Sequence, residues 1–311
     1  MHRHEGRERH AGADWFREVP VRGTRREHES MARHCSWRAG GAAERWFEPA
    51  DLDDLVIFMR ALPAGEPLLW LGLGSNLLVR DGGLRGTVIA TGGGLAGLQW
   101  RDARTLHAGC GAPCAKVAKR AAAAGLGGGE FLAGIPGTIG GALAMNAGAF
   151  GGEIWPLVVA VDTIDRAGSV RRRAASEFRV SYRRVEGPAE EWFVAGELRF
   201  AADADRGAAQ RIRALLARRN ETQPLGLPSC GSTFKNPPQD FAGRLIEAAG
   251  MKGARRGGAY VSPKHANFII NDGTASAADI EGLMEEVRAR VLATAGLRLE
   301  HEVRIVGEAA P

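Results

Sequence analysis

The chain has 311 residues, 45% of them apolar and 25% charged, with a formal net charge of +5. That is enough apolar material for more than one buried core, so disorder of the whole chain is excluded; the modest positive balance does not imply nucleic-acid binding and suits an anionic small molecule equally well. With 43 glycines against 14 prolines and no collagen period, the composition directs attention to glycine-rich loops.

Residues 1–30 are rich in Arg, His and Glu with almost no apolar periodicity, which predicts a mobile basic tail ending just before Met31. Asp51 then precedes Leu52, Leu55, Val56 and Met59 at helical spacing, the pattern of a short N-capped helix. A strand over 67–71 runs into the loop 72–83 (GLGSNLLVRDGG), and further elements are a strand at 87–91, a polar hairpin around 99–108 and an alanine-rich helix over 114–124. In residues 134–152 glycines interrupt the apolar pattern too often for a long helix, which predicts backbone-lined loops with one short helix. Strands at 157–164 and 192–200 and a basic helix at 206–219 follow, and a new unit begins near Thr222. There, Ile280, Leu283, Met284, Val287 and Val291 recur at helical spacing between a Ser276 cap, with Asp279 three residues on, and Gly296. Strict alternation from Leu297 to Ile305 predicts a terminal strand that projects Glu302 and Arg304 from one face, about 7 Å apart. The composition lacks an 18-residue apolar run and a signal-type leader, so the expectation is a cytoplasmic protein without membrane insertion. Cys35, Cys110, Cys114 and Cys230 form neither a disulfide framework nor a zinc pattern, and no metal is expected.

Several segments could carry chemistry. The loops around Gly72-Leu73-Gly74 and 134–152 could cradle a pyrophosphate, since backbone N–H groups near glycines face no side-chain obstruction. Neither matches a dinucleotide fingerprint or a P-loop, and either could be only a tight turn. Ser232 follows Gly231 in a proline-bounded loop near Lys235 and Asn236, yet Gly-x-Ser-x-Gly is absent, so this is no hydrolase elbow and by itself could be a turn serine. Tyr182-Arg183, the Glu302/Arg304 pair, His265 and Asn267 are weaker candidates that each admit a purely structural reading.

Taken in order, residues 34–41 (HCSWRAGG), 72–79 (GLGSNLLV), 134–152, Ser181-Tyr182-Arg183, 229–237 (SCGSTFKNP), 249–253 (AGMKG), 262–267 (SPKHAN) and 302–307 (EVRIVG) resemble the UDP-N-acetylenolpyruvoylglucosamine reductase family, in its shorter type II branch. The resemblance leaves out only the first thirty residues and the last few. It implies an α+β flavoenzyme of three domains, a two-domain FAD cradle of the vanillyl-alcohol-oxidase (PCMH) type over 31–100 and 101–205, and a C-terminal substrate domain over 206–311. It implies non-covalent FAD contacted by Arg38, Gly72, Gly74, Ser75, Asn76, Leu77, Gly134, Ile135, Pro136, Gly137, Gly140, Gly141, Asn146 and Gly148. It further implies that NADPH reduces FAD and that flavin N5 delivers hydride to C3 of the enolpyruvyl UDP-sugar in peptidoglycan precursor synthesis. Ser232 would give C2 its proton, and Arg183 with a protonated Glu302 would stabilise the enolate. Tyr182, Lys235, Asn236, Lys252, His265, Asn267 and Arg304 are the implied substrate contacts, while Gln223 stands where some members have lysine nearby. Two rivals are another FAD oxidase on the same cradle, with flavin attached through His34 or His107, and a non-catalytic nucleotide- or RNA-binding protein.

Overall fold

The structure, a computed structural model, describes residues 14–310. Its first sheet has the order Thr24–Ser30, Ala42–Glu48, Leu84–Ala90, Leu68–Leu71, antiparallel at the first pair and parallel at the others. Helix α2 (Leu52–Arg60) is capped as the sequence predicts, the Asp51 carboxylate accepting from the Asp54 N–H. It covers one face of the sheet through Leu55 and Phe58, which meet Phe47 and Ile89.

The expected mobile tail is corrected at residues 14–30, which form α1 (Asp14–Glu18) and the edge strand of this sheet; residues 1–13 lie outside the described residues. A strand reading Thr-Arg-Arg-Glu-His-Glu-Ser has no apolar face, so it is held by polar anchors. Buried Asp54 accepts from the N–H groups of Arg22 and Gly23, and Arg25 donates to the carbonyls of Phe16, Arg17 and Val19. Phe16, 1% exposed, packs edge-on against Phe58.

The second sheet is antiparallel throughout, in the order Val170–Ala174, Val158–Asp165, Glu191–Arg199, Thr105–Gly109, Leu98–Trp100. Helices α3 (Cys114–Ala123) and α4 (Ile139–Met145) share its core, where Leu106, Val117, Leu132, Ile139, Leu143 and Leu198 are fully buried. Helix α5 (Ala208–Thr222), expected to open the third domain, contributes Ile212 to this same core.

A third core gathers α6 (Ala242–Ala248), α7 (Ala277–Ala295) and a three-stranded sheet, Arg255–Arg256, Ala259–Val261, Ile269–Asn271. Ser276 and Asp279 form the predicted capping box of α7, and Gly296 closes the helix at φ 66°. Trp37 from the first unit inserts here, fully buried, donating from Nε1 to the Ile269 carbonyl at 2.7 Å and receiving Asn271 Nδ2 on its own carbonyl. The terminal segment departs from its predicted alternation. Only Arg304–Val306 is strand, pairing in parallel with Leu77–Val79, because Leu299 and Val303 are drawn into the third core and the chain bends at 302–303.

Candidate active site

Where these units meet, a cleft runs between the loop after Leu68–Leu71 and the stretch around α4. Gly74 turns that loop at φ 60°, and a side chain there would run into the His34 carbonyl, so only glycine fits. The loop's Gly72, Gly74, Ser75, Asn76 and Leu77 face Gly137, Gly141 and Thr138 across a compartment of about 410 Å³. Gly140 and Gly141 line its continuation toward Trp70, whose ring stacks on Trp192 at 5.5 Å. The glycines leave parts of these walls without side chains.

Thr138 tests what they could hold. It occupies the N-cap position of α4 without capping it, is 2% exposed, and its Oγ1 has no hydrogen-bond partner among the described residues. A Cβ on Gly72 would lie 2.5 Å from that oxygen. A buried hydroxyl left unpaired costs about 1–3 kcal/mol unless a ligand satisfies it. A polar donor beside glycine-walled space fits a pyrophosphate-bearing cofactor such as FAD.

Next to this groove lies a smaller compartment, about 210 Å³, lined by Ser75, Asn76, Gly134, Ile135, Pro136, Gly148, Arg183, Ser232 and Glu302. Its centre is an ion pair, with Arg183 Nε donating to Glu302 Oε1 at 2.7 Å. Arg183 takes a left-handed φ of 54° in the turn after Arg179–Ser181, which swings its guanidinium inward to donate also to the carbonyls of Asn146 and Gly148. Asn146, itself left-handed at the end of α4, is locked by Nδ2 bonds to Glu153 and to the Ser181 carbonyl. Burial pushes the Glu302 carboxyl above its usual pKa, against the opposing pull of Arg183 and Lys235. Glu302 and Arg304, expected on one face, both line the groove; beyond it Glu302 also lines the smaller compartment, and Arg304 the continuation toward Trp70.

Ser232 lines the same compartment, and its hydroxyl bonds to none of the described residues. Its loop is held from behind: the Glu302 N–H donates to the Thr233 carbonyl, and the Thr233 N–H to the Asn267 carbonyl. Asn267 is 2% exposed and its amide closes on Phe234 from both ends, accepting from N–H at 3.0 Å and donating to C=O at 2.8 Å. It therefore supports the Ser232 loop and does not face the cleft. Tyr182 and Asn236 line an adjoining outer cavity, with the Arg183 guanidinium 4.9 Å from the Tyr182 ring centroid. Lys235 reaches the groove and lies 3.4 Å from Glu300.

Four further predicted residues do not line the cleft, the first being Asn146, 1% exposed with its amide turned to Glu153 and Ser181. Lys252 pairs with Glu247 at 2.7 Å, His265 packs behind the lining residue Phe268 with its pKa lowered by burial, and Arg38 is exposed in a turn. His34 and His107, the candidate flavin attachment points, are engaged with Glu29 and Asp162 and line none of these compartments. Thr138 and Arg219 are among the lining residues that the sequence did not mark as site candidates. Thr138 sat inside a glycine-rich stretch whose glycines drew the attention, and Arg219 looked like one more surface charge on a basic helix.

A family model described as FAD binding domain matches residues 43–173, and one described as UDP-N-acetylenolpyruvoylglucosamine reductase, C-terminal domain, matches residues 223–306. The UDP-N-acetylenolpyruvoylglucosamine reductase of Methylococcus capsulatus is 61% identical over 291 residues, covering 94% of this chain and 96% of that one. The chain belongs to the UDP-N-acetylenolpyruvoylglucosamine reductase family. The corresponding reductase of Alkalilimnicola ehrlichii is 59% identical, covering 92% of this chain and 96% of its own length. Among solved structures, the reductase from Thermus caldophilus aligns with a TM-score of 0.77 at 31% identity, over 92% of this chain and 99% of that one. The α+β architecture with an FAD-binding unit is thus the family's, and the C-terminal match begins at Gln223, after α5.

Proposed function

We propose that this chain reduces the enolpyruvyl double bond of UDP-N-acetyl-3-O-(1-carboxyvinyl)-glucosamine to give UDP-N-acetylmuramate, using NADPH and non-covalent FAD, in the cytoplasmic synthesis of peptidoglycan precursors. Its partners in this reaction are small molecules, not nucleic acid. The observation that carries the reading is the Arg183–Glu302 pair in a compartment that Ser232 also lines, beside a groove whose wall includes Gly72, Gly74, Gly137 and Gly141. Residues 31–100 and 101–205 form the cofactor cradle in this reading, with residues 14–30 added to the first unit and the substrate-binding unit following α5.

FAD, when bound, supplies hydride to C3 of the double bond after taking it from NADPH. Thr138 and the loop Gly72–Leu77 bind its polar groups, and Gly134–Gly137 close the wall beside Ser232. As negative charge moves to C2 and its carboxylate, the Arg183 guanidinium is already in place and needs no reorganisation, the condition under which such a charge lowers a barrier most. Glu302, with its pKa raised by burial, can keep a proton and donate a hydrogen bond to the same charge. Ser232, its hydroxyl unbonded to any described residue, delivers its proton to C2; a hydroxyl is acid enough only against so basic a centre. Tyr182 and Asn236 bind the nucleotide portion in the outer cavity.

The test is Ser232→Ala in stopped-flow absorbance. NADPH should still bleach the flavin at the wild-type rate, whereas reoxidation by the enolpyruvyl substrate should fall by about a thousandfold or more, the upper part of the range for losing a proton donor. Two unimpaired half-reactions would remove Ser232 from the chemistry.

A further inference from the structure

Arg219 differs from the partly buried arginines that are paired with carboxylates. Arg45 pairs with Glu66 at 2.9 Å, Arg80 with Glu281 at 2.7 Å and Arg183 with Glu302 at 2.7 Å. Arg219 has no carboxylate partner among the described residues. Its Nε donates to Gln223 Oε1 at 2.9 Å, and neither terminal nitrogen bonds to a described residue. It lies in the last turn of α5, where the helix's carbonyl ends favour a cation, yet burial pushes its pKa below the usual arginine value. A guanidinium remains charged all the same, and a desolvated charge without a counter-ion is costly. The wall it forms, with Gln223 and Phe268, belongs to the compartment that holds Ser232 and Glu302.

We propose that Arg219, held by Gln223, is a carboxylate-binding residue for the enolpyruvyl substrate. The assignment rests on the reaction proposed above. The substrate carboxylate is bonded to C2, the atom Ser232 protonates, so the compartment that holds Ser232 must also hold that carboxylate. The diphosphate lies beyond the sugar ring, toward the outer cavity of Tyr182 and Asn236. Arg183 already spends three N–H groups on Glu302, Asn146 and Gly148, whereas Arg219 offers a free two-nitrogen fork, the geometry that matches a carboxylate bidentately. Arg219 thereby fixes the plane of the carboxylate in which the enolate charge develops.

The flavin-loaded enzyme and its Arg219→Met and Arg219→Lys variants would be titrated with the enolpyruvyl substrate and, separately, with UDP-N-acetylglucosamine, which lacks the carboxylate, reading the flavin absorbance change. Arg219→Met should weaken the enolpyruvyl substrate roughly 10- to 100-fold, the loss of a charge-assisted contact. UDP-N-acetylglucosamine binding and the rate of bleaching by NADPH should stay within about twofold of wild type. Arg219→Lys, which keeps the charge but not the fork, should fall between, and it serves if the methionine variant does not fold. Equal weakening of both sugar nucleotides, unchanged affinity for both, or a loss confined to NADPH would overturn the assignment. Failure of the underlying reaction would show differently, as wild-type reduced flavin that the enolpyruvyl substrate does not reoxidise.

Discussion

Replacing Asn267 by alanine separates support of the Ser232 loop from contact with substrate. The Asn267 amide makes two bonds to the backbone of Phe234, at 3.0 and 2.8 Å, and Phe234 is 1% exposed. Alanine would leave one buried N–H and one buried C=O unpaired, at about 1–3 kcal/mol each, so the substitution should cost about 2–6 kcal/mol of unfolding free energy with no ligand present. Urea unfolding followed by tryptophan fluorescence should show a lowered midpoint with an unchanged slope. Flavin reoxidation should slow as well, since Ser232 sits two residues from the freed backbone. A loss below about 0.5 kcal/mol, the size of an ordinary surface substitution, combined with a large rise in the Kd of the UDP-sugar would refute this and return Asn267 to the substrate.

Two further outcomes follow from the site. Because burial raises the Glu302 pKa, the donating, protonated form persists upward in pH; flavin reoxidation should hold at low pH and fall as pH rises through that pKa. Glu302→Gln should abolish this alkaline limb while keeping much of the rate, Glu302→Ala should lose rate at all pH values, and a glutamine variant with the same limb would place the titrating group elsewhere. Thr138→Val keeps the shape but removes the orphan hydroxyl. Flavin Kd should rise about 5- to 10-fold, with flavin-free stability unchanged or improved, and unaltered flavin affinity by fluorescence titration would mean that Thr138 does not touch the cofactor.

The elements legible in the sequence were those whose local chemistry agrees with their tertiary setting. Asp51, Ser276 and Gly296 mark helix ends with side-chain or backbone devices that act within a few residues, and all three appear where the pattern puts them. Residues 24–30 were illegible because that strand is held by hydrogen bonds to partners far along the chain and has no apolar face to announce it. The 297–305 alternation misled for a related reason: period two is what a strand shows, but Leu299 and Val303 serve the third core while Arg304–Val306 pairs with Leu77–Val79. The bend between them is what aims Glu302 at Arg183, so the failed strand reading coincides with the site itself. Arg219 was hidden because a charge on a basic helix reads as solvated until the wall opposite it is known.

The most direct test of the central claim is an anaerobic absorbance record of the purified protein. The account predicts a bound flavin spectrum that NADPH bleaches and that one equivalent of the enolpyruvyl UDP-sugar restores, with UDP-N-acetylmuramate formed. A protein without flavin, or a bleached flavin that the sugar nucleotide leaves reduced, would contradict it.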